Sequence, residues 1–371
     1  MTKALAAVLE SPKNLKFCEF DIPQVGEADA ILRVEACGLC GTDYEQYLGH
    51  FSEWSGGLPI IPGHEIMGYI DQIGPEAAKL WNVREGDRVA IEPIIPCGHC
   101  PDCVAGAYTR CQSDKGYGLY QNINNAPALW GGYSSHVYLH PGTMVHKLPS
   151  DIPTDIMTLF NPLSNAIRWI YEVGKVGLGS SVVIAGPGQR GLLAVAVAKR
   201  AGASQIIVTG TGADSERLAQ ARRMGATATI NVAEEDPVTR VVELTGGALV
   251  DLVLDVSSGA VAPIVQGVDM VKRGGRIVLA GLKGKNPLDG FPIDKVVLRE
   301  VELIGVLSAG WKSTEMAIEM IRADPELFAP LCSHSFPMSQ VDHAVKILGR
   351  EESDGCDAVH VTLMNDLHIA A

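Results

Sequence analysis

Cys97, Cys100, Cys103 and Cys111 put four of the chain's nine cysteines within one short stretch, spaced C-x2-C-x2-C-x7-C. Four thiolates at that spacing can close around one tetrahedral zinc and leave no open position, so such a site builds structure and does no chemistry on a ligand. A disulfide-bonded loop is the alternative, but it suits a secreted chain, and the remaining features read as intracellular. The reactive groups must lie elsewhere. Upstream, Gly38-Leu39-Cys40-Gly41-Thr42-Asp43 and Pro62-Gly63-His64-Glu65 supply a thiol and an imidazole. Both are zinc donors, and a catalytic zinc needs three protein ligands plus one open position. Thr42 is a neutral hydroxyl two residues from the thiol, suited to passing on an alcohol's proton. Asp43 and Glu65 are carboxylates suited to orienting a ligating imidazole from behind. Taken singly these residues have ordinary readings: a lone cysteine is usually a small buried hydrophobe, and a lone histidine is usually structural.

A third constellation is Gly186-Pro187-Gly188-Gln189-Arg190-Gly191. It is a G-x-G-x-x-G that follows a short apolar run at 181–185 and opens an Ala/Leu/Val-rich segment at 192–200. Glycines there allow a tight turn, let backbone approach a pyrophosphate and let helix pack on strand, while the helix N-terminus favours the anion. The strand–turn–helix context predicts a dinucleotide site with Gly186, Gly188, Gln189, Arg190 and Gly191 as cofactor-binding residues; the alternative is a plain glycine-rich turn. The next strand, 205–209, runs into Gly210-Thr211-Gly212, with no acid at its end to hold ribose hydroxyls. Lack of that carboxylate removes repulsion against a 2′-phosphate, and Thr211 and Arg217 can supply donors. This leans toward NADP over NAD, unless Asp214 reaches back to the ribose.

These residues need a scaffold, and the chain has two textures. Up to about residue 160, short alternating stretches such as 30–35 and 67–73 are broken by Gly and Pro, which predicts an irregular, mostly β domain. From about residue 164, apolar strands at 181–185, 205–209, 228–232, 249–256, 276–280 and 301–306 alternate with helix-length segments such as 215–224. That order predicts an α/β, doubly wound parallel sheet. Beyond about 308 the alternation fades, 313–323 reads as a helix, and the C-terminal piece is expected to fold back on the first domain.

The 371 residues exceed one ordinary core, so two domains are expected. A net charge of −13 makes nucleic acid and acidic membranes poor partners. No run approaches the roughly 18 uncharged apolar residues of a membrane span, and the N-terminal residues lack a secretory pattern. A cytoplasmic setting is expected.

GLCGTD at 38–43, PGHE at 62–65, EGDRV at 85–89, the four-cysteine lobe at 97–111 and GPGQRG at 186–191 occur together and in order. In this the chain resembles the zinc-dependent medium-chain alcohol and polyol dehydrogenases over nearly its whole length. The resemblance implies a GroES-like catalytic domain (1–163 and 308–371, with a structural zinc lobe at about 93–115) and a Rossmann domain (164–307). It implies that Cys40 and His64 bind a catalytic zinc, that Thr42 begins a proton relay, and that Glu65, beside the metal, can serve as an alternative ligand. The implied reaction is reversible hydride transfer between a secondary or polyol-like alcohol and NAD(P). A homodimer or homotetramer is also implied, with 301–307 as a contact strand.

One departure stands out. The family's third catalytic ligand, a Glu or Cys before Pro-Leu, corresponds to Asn161 of Phe160-Asn161-Pro162-Leu163. Either Asn161 ligates weakly and leaves the zinc a net charge of about +1, or Glu65 moves in, or the site is empty. Asn161 also keeps open a metal-free NADPH-dependent reductase of double bonds or carbonyls on the same fold; a nucleotide-binding protein without turnover is the third reading. Glu45 stands where the family often ends its relay with a histidine, and a solvated carboxylate is its other reading. His50, His136, His140 and His146 have no ligand spacing to one another. Trp54 and Trp130 are either cleft-lining or buried packing.

Overall fold

The computed structural model describes residues 3–50, 56–113, 115–352 and 357–367; Trp54 lies outside them. The chain forms two compact units, Met1–Asn161 with Gly310–Ala371, and Pro162–Ala309.

The first unit is built on a seven-stranded sheet whose central member is Ala30–Leu39. Glu65–Ile73 pairs antiparallel along one edge of it. The opposite edge is shared, with His136–Leu139 on its first half and His360–Met364 on its second. Paired on both edges and buried at all positions but Arg33 and Glu35, Ala30–Leu39 reads as AILRVEACGL, a nearly continuous apolar run. Its Leu32, Val34, Cys37 and Leu39 join Ile66, Ile70, Val137, Val361 and Leu363 in one core. The register brings three strand ends to one spot. Gly38 lies opposite both Glu65 and Thr362, so Cys40, Glu65 and His360 stand within two residues of the same rung. Gly38 keeps that spot clear: a Cβ would stand 2.5 Å from Glu65 Oε2 and 3.2 Å from His360 Cε1, so the carboxylate would have to shift.

The second unit is a six-stranded parallel sheet. Its spatial order is Ala228–Asn231, Gln205–Gly210, Ser181–Ala185, Val250–Asp255, Val271–Leu279, Glu302–Gly305. Val183, Ile207, Val253 and Ile277 share a core with Val241 and Val268 of helices Pro237–Leu244 and Ala262–Met270. Helices Gln189–Ala201 and Ser215–Met224 each stop at a glycine in the left-handed region, Gly202 (φ 94°) and Gly225 (φ 117°). The strand expected at 276–280 begins earlier, at Val271. Val271 pairs with Val250, the register then shifts, and Arg276 pairs with Leu252. Gly274-Gly275 is thus an irregularity inside a strand, whereas by composition it reads as a break. Among the described residues no helix is long and apolar enough to cross a membrane.

Candidate functional site

The four-cysteine lobe is assembled from backbone that points N–H groups at sulfur. The N–H of Cys100 lies 3.3 Å from Cys97 Sγ, that of Cys97 3.3 Å from Cys111 Sγ, and that of Cys103 3.5 Å from Cys100 Sγ. All four sulfurs lie within 4.8 Å of one another and are half-buried. Cys97 and Cys103 are 3.9 Å apart, far beyond the roughly 2.05 Å of a disulfide. Burial alone would raise the Cys111 thiol, but Ser113 and the N–H groups of Cys97 and Ser113 outweigh it and bring it down to about 6. Burial pushes Cys103 the other way, up to about 12, so the four sulfurs do not all ionise by themselves; four sulfurs this close call for a soft-to-borderline cation, and the lobe fits one closed zinc site. Tyr108 ties the lobe to its unit. Its hydroxyl donates to the buried carboxylate of Glu92 at 2.8 Å and accepts the N–H of Trp311. Glu92 in turn lies 3.0 Å from Nε2 of His146, whose Nδ1 faces Glu315 at 2.5 Å.

The second cluster is buried. Cys40 caps the short helix Gly41–Tyr47 and follows Ala30–Leu39 directly, while His64 and Glu65 open the neighbouring strand. Cys40 Sγ is 3.3 Å from His64 Nε2. Cys40, His64 and Glu65 each offer a donor atom within 4.8 Å of the others. Asp43 backs the cluster: its Oδ2 accepts the Cys40 N–H at 2.9 Å, and its Oδ1 lies 3.5 Å from His64 Nδ1. Burial works against charge on His64, yet the Asp43 carboxylate and Cys40 sulfur outweigh it and hold the imidazole well above its usual range. Burial likewise opposes ionisation of Asp43, and His64 with the Cys40 N–H reverses that, lowering it. The pocket therefore draws positive charge, and a divalent cation on Cys40, His64 and Glu65 answers that demand. Of the two roles expected for Glu65, backing the imidazole or serving as an alternative ligand, its oxygen lies among the potential ligand atoms, as the second requires. Thr42 is half-buried in the first turn of the helix after Cys40. Asn161 is buried at the start of helix Phe160–Ile167.

His360 was not visible in the sequence as part of this region. It is fully buried, with Nε2 2.7 Å from Thr158 Oγ1 and 3.2 Å from Thr362 Oγ1, and burial holds it down to about 3. Only the pairing of His360–Met364 with Ala30–Leu39 brings it here, and no spacing motif reports that. Trp130 is packing: it stacks edge-on with Tyr138 at 5.2 Å and donates its Nε1–H to the Asn125 carbonyl. Glu45 is partly exposed, 2.7 Å from Nδ1 of His50.

In the second unit the glycine turn has the required shape. Gly186 has φ 108°, and a Cβ on Gly191 would stand 1.9 Å from the Gly186 carbonyl oxygen. A Cβ on Gly188 would meet nothing, so space stands open at the N-terminus of the 13-residue helix Gln189–Ala201. A helix N-terminus bordering open space fits a pyrophosphate. Arg190 lies over the Trp169 ring, 5.8 Å from its centroid. At the end of Gln205–Gly210, Asp214 Oδ2 accepts the N–H and hydroxyl of Thr211 at 3.0 and 2.7 Å, and Arg217 lies 3.9 Å from Asp214 Oδ1.

A family model described as "Alcohol dehydrogenase GroES-like domain" matches residues 26–150, and one described as "Zinc-binding dehydrogenase" matches residues 191–323. A probable alcohol dehydrogenase of Mycobacterium tuberculosis is 39% identical over 362 residues, 96% of this chain and 97% of that protein. An erythritol/L-threitol dehydrogenase of Mycolicibacterium smegmatis is 29% identical over 371 residues, 98% of each chain. An alcohol dehydrogenase structure from Thermotoga maritima superposes with a TM-score of 0.86 at 25% identity, covering 99% of this chain and 100% of that one. The two-part architecture, the paired metal-ligand clusters and the glycine turn agree with these matches: the chain belongs to the zinc-dependent medium-chain alcohol dehydrogenase family, NAD(P)-dependent oxidoreductases acting on CH–OH groups.

Proposed function

We propose that this protein reversibly oxidises a secondary or polyol-like alcohol to its carbonyl, with Cys40, His64 and Glu65 holding the catalytic zinc. The observation that carries this is the buried group in which Cys40 Sγ stands 3.3 Å from His64 Nε2, with a Glu65 oxygen beside them. When bound, zinc supplies a Lewis acid that lowers an alcohol's pKa, and NAD(P) takes the hydride. Cys40 and Glu65 carry two negative charges, which match a divalent cation without help from the neutral amide of Asn161. Asp43 fixes the imidazole plane through Nδ1 and the Cys40 backbone through its N–H. Thr42 takes the substrate proton at Oγ1 while releasing its own, which a hydroxyl, donor and acceptor at once, can do. Glu45, partly exposed and paired with His50, is the outlet for that proton to solvent. The four-cysteine lobe holds the second, structural zinc.

The Gly186–Gly191 turn takes the pyrophosphate of NAD(P), and its adenosine end meets Thr211 and Arg217, where Asp214 already takes both Thr211 donors. The edge strand Glu302–Gly305, which carries exposed Leu303 and is flanked by exposed Val297 and Leu307, is the contact through which the chain forms a homo-oligomer. A polyol-like substrate is in keeping with the erythritol/L-threitol relative. Asn161 is the one feature that favours a metal-free reductase.

Metal analysis of purified protein separates the readings. Wild type should hold zinc at both clusters. Cys40→Ser and Glu65→Gln should each lose the buried zinc and alcohol oxidation together, while Asn161→Ala keeps both. The reverse result for Glu65 and Asn161 assigns the third ligand to the amide. Full activity without metal at Cys40 overturns the proposal.

A further inference from the structure

The second unit contains a charged clamp that none of the motifs predicts. Asp255 ends strand Val250–Asp255 and is fully buried; Lys283, in the loop after Val271–Leu279, is 14% exposed, with Nζ 2.7 Å from Asp255 Oδ2. The same ammonium donates to the Ser257 carbonyl at 2.6 Å and to Ser257 Oγ at 3.0 Å. Asp255 Oδ1 accepts the Ser257 hydroxyl at 2.6 Å and its N–H at 3.2 Å. The ammonium hydrogen-bonds Ser257 twice and its charge faces the buried Asp255 carboxylate, so Lys283 is committed to protein oxygens. It works by holding two loops together.

Those loops are joined at further points. Gly259 N–H donates to the Leu282 carbonyl at 3.0 Å, and Asn286 Nδ2 donates to the Gly259 carbonyl at 2.8 Å. A Cβ on Gly281 would stand 2.1 Å from the Ser257 carbonyl oxygen, so the backbones touch. The pair also abuts the glycine turn, since a Cβ on Gly186 would lie 3.2 Å from the Ser257 nitrogen.

Sheet order says which part of a ligand meets this wall. Chain direction across the sheet reverses between Ser181–Ala185 and Val250–Asp255, and ligands of such sheets lie outside the strand ends at that reversal. The adenosine half lies toward Gln205–Gly210, where Thr211 and Arg217 are. From the pyrophosphate turn, the other half must run over the ends of Val250–Asp255 and Val271–Leu279, where Lys283 locks the loops. We propose that Lys283, through Asp255 and Ser257, is a positioning residue for the nicotinamide half of the cofactor. Hydride transfer depends steeply on where that ring sits, so a wall fixed before binding saves ordering on binding and at reaction.

The inference rests on the dinucleotide reading of Gly186–Gly191, and the test keeps the two apart. Lys283→Met would leave Asp255 buried without a cation, so the Asp255→Asn/Lys283→Met double variant, which removes both charges, is made beside it, with Lys283→Arg as the conservative control. Binding of NADH and NADPH is measured by nicotinamide fluorescence, and binding of ADP-ribose and its 2′-phosphate, which lack the nicotinamide, by calorimetry. Expected for the double variant are fragment affinities within about twofold of wild type, dinucleotide affinities at least about fivefold weaker, and kcat down about tenfold or more, with Lys283→Arg in between. Fragments and dinucleotides weakened alike, or neither weakened, overturns the proposal. A wild type that binds neither class overturns the dinucleotide reading itself.

Discussion

The two metal-ligand clusters sit in the same unit and are built on opposite principles. The four-cysteine lobe draws all its donors from 97–111, is half-buried, and shapes itself with local N–H···S contacts. The Cys40–His64–Glu65 group has one sulfur, is buried on all three residues, and exists only because separate strands are in register. The lobe needs little from the rest of the fold beyond anchors such as Tyr108 on Glu92. The buried group needs the whole sheet. A closed, sulfur-rich, local site suits structure; a mixed-donor site that borrows position from a core can leave one coordination place free and still stay rigid.

That contrast is broken or sharpened first by losing a ligand from each cluster. Cys40→Ser should cut kcat by at least about a thousandfold, since a Lewis acid is worth several kcal/mol to the transition state. Its unfolding temperature should stay near wild type, because the core around it is otherwise intact. Cys100→Ser should do the opposite. Loss of the structural metal should cost at least about 3 kcal/mol of stability, read as a lower melting temperature. At low temperature, kcat of the surviving folded enzyme should remain within about threefold of wild type. If Cys100→Ser abolishes turnover in protein that is still folded, the lobe is not merely structural and the contrast collapses.

How far the sequence foresaw these sites follows the same division. The lobe and the Gly186–Gly191 turn were legible because their parts are contiguous and their spacing carries the geometry. Cys40 and His64 were legible as donors, and Glu65 was read both as backing for the imidazole and as an alternative ligand; the choice between the two depends on Gly38 lying opposite it. His360 and Lys283 could not be read at all, since each meets its site through strand pairing or loop packing between distant segments. The early start of Val271–Leu279 was hidden by Gly274-Gly275, where tertiary pairing with Val250 overrides local turn preference. Periodicity reports which residues are apolar and at what interval; it does not report register.

A register-dependent site should be sensitive to a single methyl group at its crossing point. Gly38→Ala places a Cβ 2.5 Å from Glu65 Oε2, so the carboxylate must shift. The expected result is a loss of about tenfold in kcat and in affinity for the buried zinc, with zinc in the lobe unchanged. Titration with a chelator, followed by zinc analysis, reads the two sites separately. Equal loss at both, or no loss at the buried site, would mean that Gly38 does not position Glu65.

The smallest effect concerns protons. His360 is held down to about 3 by burial, against an ordinary value of about 6.5. Between those values the unfolded chain binds a proton at this position that the folded chain refuses. Its contribution to stability is therefore complete above about pH 6.5 and is lost as pH falls toward 3, at up to about 1.4 kcal/mol per pH unit. His360→Gln keeps a polar partner for Thr158 and Thr362 but removes the titration. Denaturant unfolding of both proteins from pH 8 to about 4.5 should show their stability difference constant above about 6.5 and shrinking below it at up to the one-proton slope. The lobe, which does not include His360, should follow only the protonation of its own thiolates. A stability difference that stays flat across the whole range would mean that His360 is solvated in solution, and pairing of His360–Met364 with Ala30–Leu39 would then not bury it.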